Sequence, residues 1–96
     1  MSRLLQSFPR SRRSTPFRRK VWGEMFGGLL RDAREERGRS VEDAAQAAGM
    51  EVAEWEAVEA GQVPENWEQV RRMADGLGID RSWLTPLVLF CHEAWG

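Results

Sequence analysis

The chain has 96 residues, enough for one domain with a small core. It holds no apolar run of about eighteen residues, which excludes a membrane-spanning helix, and its single cysteine, Cys91, excludes an internal disulfide framework and fits a reducing cytoplasm. The formal net charge of −1 conceals an asymmetry: residues 1–22 hold seven of the 14 basic residues and none of the 15 acids.

Residues 1–24 read as a basic, flexible arm and residues 25–96 as an acidic body. The arm, "MSRLLQSFPRSRRSTPFRRKVW" up to Trp22, has two prolines, four serines and little apolar periodicity. Such a segment is expected to be disordered alone or extended against a partner. Its Arg-rich, Ser-rich, acid-free composition also suits an organellar transit peptide, but no apolar stretch follows the arginines as a secretory signal requires.

The body reads as consecutive helices. Phe26, Leu29, Leu30 and Ala33 mark an apolar stripe at helical spacing, and Gly38 stops that helix. Ser40 opens "SVED", a capping box in which Asp43 can reach back to the cap amide. Ala44, Ala45 and Ala48 form the inner face of a short second helix, closed at Gly49. The third helix is "EVAEWEAVEA", with Trp55 and Val58 inward and Gly61 as its stop. Asn66 caps a fourth, whose inner face is Trp67, Val70, Met73, Ala74 and Leu77. "DRSWL" is a short fifth helix, and Thr85-Pro86 opens a last one over "LVLFCHEAW". No strand pattern or internal repeat is present.

Residues 26–84 resemble the helix-turn-helix domain of the Cro/C1-type phage repressors, the Xre family. "LLRDAREERGRS" resembles the opening helix and the turn after it. "VEDAAQAAGM" resembles the scaffold helix, with Ala45 four residues before the glycine turn. "WEAVEAG" resembles the end of helix three, and "MADGLGIDRSWL" the fourth and fifth helices. The expected fold is all-α: a five-helix Cro/C1 repressor-like helix-turn-helix bundle with a basic N-terminal arm and an extra C-terminal helix. The resemblance also implies a buried pair between Arg34 and Glu59. In the family a branched aliphatic usually stands at Trp55 and often a Trp at Val58, an exchange that a repacked core tolerates if volume is kept.

The resemblance places the first turn of helix three and the residue four positions on, Val52, Ala53 and Ala57, at the major groove. None can make a bidentate base contact, although each can touch a thymine methyl. Glu51, Glu54 and Glu56 would approach a surface with one negative charge per about 1.7 Å of duplex. Ser40 is a candidate phosphate donor, and the arm cations Arg10, Arg12, Arg13, Arg18, Arg19 and Lys20 are expected to supply most of the affinity. The function expected is that of a bacterial or phage Xre-type transcriptional regulator binding DNA with low specificity. The competing reading is a protein-interaction module (antiactivator, antitoxin-like partner or DNA mimic), with Glu51, Glu54 and Glu56 on its protein-facing surface.

No catalytic constellation, cofactor or metal site is expected. His92 and Cys91 are neighbours that point about 100° apart on a helix and have no second His or Cys to join them. Leu77, Trp83 and Leu84 are expected to close the core. That leaves Leu87, Val88, Leu89, Phe90 and Trp95 on a short helix that cannot hide them all, so a homodimer through Leu87, Leu89 and Phe90 is expected, with closure onto Phe26 and Leu30 of the same chain as the alternative.

Overall fold

The computed structural model describes residues 16–89 and Trp95. Helix α1 spans Pro16–Glu36, α2 Val41–Ala48, α3 Val52–Glu59 and α4 Trp67–Leu77; a 3-10 turn, Arg81–Leu84, leads into α5, Thr85–Leu89. Among the described residues the fold is all-α, as expected. The fifth helix of the sequence reading is the 3-10 turn.

The largest difference lies at the start. Residues 16–24, assigned above to an extended arm, are the opening turns of α1, which runs unbroken for 21 residues, about 31 Å. Proline suits a first helical turn because its missing N–H would have no partner there. The apolar spacing also continues upstream: Trp22, Phe26, Leu30 and Ala33 are buried on one face. Three consecutive cations, Arg18, Arg19 and Lys20, sit near the positive end of the helix dipole, and the first turn has no acid to offset it. The packing of Trp22 therefore overrides an unfavourable local electrostatic arrangement. Arg10, Arg12 and Arg13 lie outside the described residues.

Gly23 and Gly27 make α1 a backbone contact surface. A Cβ on Gly23 would collide with the carbonyl oxygen of Gly61, and one on Gly27 with that of Val58. The end of α3 thus lies directly on α1. Across this crossing runs the expected pair: Arg34 Nε donates to Glu59 Oε2 at 2.6 Å and Nη2 to Glu59 Oε1 at 3.1 Å, while Nη1 donates to the Arg39 carbonyl at 3.0 Å. Trp55 is fully buried, and its indole N–H donates to the same Glu59 carboxylate at 2.5 Å. Burial works against that carboxylate, but the hydrogen bonds from Arg34 and Trp55 outweigh it and hold the Glu59 pKa below the ordinary value. The Arg34 pKa is raised, chiefly by its hydrogen bond to Glu59.

The C-terminal segment folds back onto its own chain. Trp22 Nε1 donates to the Leu87 carbonyl at 3.3 Å, and Leu87 is buried. Trp95 packs edge-on against Trp22 and Trp67, at centroid distances of 5.1 and 6.2 Å, and donates to the Pro64 carbonyl at 3.0 Å. Leu87 therefore belongs to the chain's own core and not to an open face. Phe90 and the side chain of Leu89 lie outside what is described. Leu77 and Leu84 close the core, but Trp83 is 51% exposed.

Arg34→Ala is expected to lower stability by about 1–3 kcal/mol, because the part-buried Glu59 would lose its cation and keep only the Trp55 N–H. The exposed Arg72→Ala serves as the control. Arg39 would not, since its guanidinium lies against the Gly76 carbonyl. A melting shift equal to that control would show that the pair does not hold the fold. The depressed Glu59 pKa sets the sign with pH. Its contribution is complete above the ordinary glutamate value, about 4.3, and is lost as pH falls through the lower folded value. Glu59→Gln should melt lower than wild type at pH 7 and lack that part of the acid-induced fall.

Gly27→Ala should cost about 1–3 kcal/mol through overpacking. Gly28→Ala, next to it but with open space around the new Cβ, should be neutral or stabilise by about 0.5–1 kcal/mol. Equal melting temperatures for the two would refute the close approach of α1 and α3.

Candidate functional site

Two short helices and the turn between them form the candidate site. Ser40 Oγ accepts from the Asp43 amide at 3.0 Å and starts α2. Gly49 ends it in the left-handed conformation, φ 69°, which a side chain would strain. Ala44, Ala45 and Ala48 are buried, so α2 approaches its neighbours through methyl groups alone. The turn delivers α3 with Trp55 and Val58 pointing inward.

What α3 shows to solvent is small or acidic. Ala53, Glu56 and Ala60 are exposed and Ala57 half-buried, while Val52 is half-buried and packs partly against the core. Three of the predicted base-facing positions thus share the first two turns of α3, but only Ala53 is fully presented. The Glu54 carboxylate accepts from the Glu51 backbone amide at 3.0 Å. That contact is one half of a capping box, which the sequence does not signal because Glu51 is not a residue type that marks a helix cap. Glu54 is therefore partly engaged at the start of its own helix, and Glu56 is left projecting.

Both helix starts are acidic, although Arg37 and Arg39 stand in the turn just before Ser40, held against the Ala33 and Gly76 carbonyls. Glu42 and Asp43 stand in the first turn of α2 and Glu54 in that of α3. Glu65 in the following loop is exposed, and its amide is held by Gln69 Oε1 at 2.9 Å. The nearest described run of cations upstream, Arg18, Arg19 and Lys20, does not join this face. Gly23 and Gly27 contact the residues that end α3, Val58 to Gly61, and the cationic turn lies further toward the start of α1. Val52 and Ala53 lie at the other end of an eight-residue helix, about 12 Å away along its axis. Ser40 is exposed and engaged as a cap.

Beside α1 lies an apolar groove of about 280 Å³, bordered by Phe17, Val21, Trp22, Met25, Pro86 and Leu87. It is remote from the first turn of α3. Among the described residues no helix is long and apolar enough to cross a membrane.

No curated protein and no solved structure matches the chain. The helix-turn-helix domain model matches residues 25–85, well over half of the 96 residues, and covers α1 from Met25 through the 3-10 turn to the first residue of α5. With the Ser40 cap, the left-handed Gly49 turn and the outward α3 in those places, the chain belongs to the helix-turn-helix domain family.

Proposed function

We propose that this protein is a DNA-binding regulator of the Cro/C1 (Xre) type, working in a reducing cytoplasm, that holds duplex mainly through phosphate charge and reads few bases. The observation that supports it is the intact frame: α2, the Gly49 turn and an α3 whose outer side, Ala53, Glu56 and Ala60, is free of the core. Alanine and valine allow thymine-methyl contact and no bidentate hydrogen bond. Affinity then depends on the cations of the N-terminal stretch, which neutralise phosphates whatever the sequence.

Deleting residues 1–22 would not test this cleanly, because it removes Trp22 from the core. Neutralising Arg10, Arg12, Arg13 and Arg19 to Gln leaves Trp22 in place, with the melting temperature of the variant as the check on its fold. If those four cations meet phosphates, log K should fall with log salt at a slope shallower by roughly 3.6 in the variant. A slope equal to wild type would remove the N-terminal cations from the interface.

The acid surrounding both helix starts favours a second reading, a protein-interaction module that keeps the frame without base reading. One variant separates the two. Changing Glu51, Glu54 and Glu56 to Gln should leave the melting temperature nearly unchanged, since Gln can also complete a capping box. In a DNA-binding protein it should raise duplex affinity roughly tenfold at low salt, less as salt screens the lost repulsion. Duplex binding that does not respond at any salt would place α3 away from DNA and favour the protein-binding module.

A further inference from the structure

We propose that α1 carries a self-complementary seam through which two copies of this chain pair antiparallel. Phe17, Val21 and Met25 recur every four residues on a face of α1 that flanks the buried stripe of Trp22, Phe26 and Leu30. They are 73, 38 and 52% exposed. The apolar groove bordered by Pro86 adjoins the same stripe. An apolar face of this length on a small protein is an interface signature.

Three features select a second copy as its occupant. The first is shape. Gly28 continues the stripe one turn beyond Met25, and a Cβ placed there would meet nothing within 4 Å. A two-fold axis crossing α1 near residues 22 and 23 sets the bulky Phe17 of each copy over the bare Gly28 of the other. The same axis brings Val21 against Met25 at the centre.

The second is charge. Lys20 and Glu24 lie together on one flank of the stripe, and neither makes an ion pair among the described residues. With Lys on the N-terminal side, the pair has the weaker of the two helical orientations within one helix. In the antiparallel arrangement the same flanks meet, so each copy's Lys20 faces the other's Glu24, twice per dimer. The third is symmetry. One patch satisfying its own complement is what a closed two-fold interface requires. This seam replaces the Leu87 contact expected from the sequence, because Leu87 is buried within its own chain.

The contact covers about a dozen residues of one helix, less than the roughly 800 Å² per partner of a stable complex. Association should therefore be concentration-dependent. Its test reads association in the absence of DNA and so holds or fails apart from the DNA reading, although Lys20 belongs to both surfaces.

Sedimentation equilibrium of the full chain, from a few to several hundred micromolar, tests it. Wild type should pass from monomer to dimer, and Val21→Glu and Met25→Glu should stay monomeric with unchanged helical circular dichroism. Lys20→Glu and Glu24→Lys should each weaken the dimer by roughly tenfold, two exposed pairs being lost. The double exchange should restore it. A wild type monomeric throughout, a dimer untouched by Val21→Glu, or a double exchange no tighter than the single ones would overturn the proposal.

Discussion

The Glu59 carboxylate is the point on which the rest of the structure depends. It accepts from two nitrogens of Arg34 and from the Trp55 indole. Arg34 in turn holds the Arg39 carbonyl, the residue before the Ser40 cap. One part-buried anion therefore ties α1, the turn into α2 and the end of α3 together. A buried charge is costly unless its hydrogen-bonding capacity is used, and here it is. The geometry needs α3 close against α1, and Gly23 and Gly27 provide that closeness. The bare glycine backbones and the ion pair are mutually dependent: side chains at either glycine would push Glu59 away from Arg34.

The same carboxylate accounts for the large residue at position 55. A buried tryptophan requires a partner for its N–H. Glu59, four residues on, lies one helical turn away on the same side of α3. Exchanging the sizes of residues 55 and 58 is then not only a matter of conserved volume. It adds a third donor to the anion. Beyond the region of family similarity, two extensions complete each other. The opening turns of α1 contribute Trp22, and the C-terminal segment contributes Leu87 and Trp95, which close over Trp22 and onto Pro64. The small helix-turn-helix core gains an aromatic layer that neither extension could bury alone.

The body was legible in the sequence because its signals are local. Ser40, Gly49 and Asn66 are caps whose chemistry acts within four residues, and the structure shows each in that role. The Arg34–Glu59 pair was legible only through resemblance, since nothing in the spacing of positions 34 and 59 brings them together. The start of α1 was misread for a physical reason. Three cations and a proline are poor local evidence for a helix, and Trp22 is held by residues 65 and 73 positions later in the chain. For the same reason the sequence places Leu87 on an open face, whereas the Trp22 indole, 65 positions earlier, holds its carbonyl and its side chain is buried. In the candidate site the composition of α3 was plain, but the capping task of Glu54 was not, because Glu51 at the cap position is not a residue type that marks a helix start.

That capping task bears on how a helix-turn-helix frame can persist while its readout changes. The first backbone amides of a helix attract phosphate because they lack internal partners and carry the positive end of the dipole. In α3 a carboxylate of the chain itself already stands at that end, and in α2 Ser40 takes one amide with Glu42 and Asp43 beside it. Both anion sites are therefore blunted without any change to the buried face. Trp55 and Val58 face inward whatever residues occupy positions 53, 56 and 60. The core constrains one side of α3 and leaves the other to be set by the partner. A duplex would meet methyl groups and carboxylates on that outer side, so any attraction to phosphate must be supplied by cations outside α2 and α3.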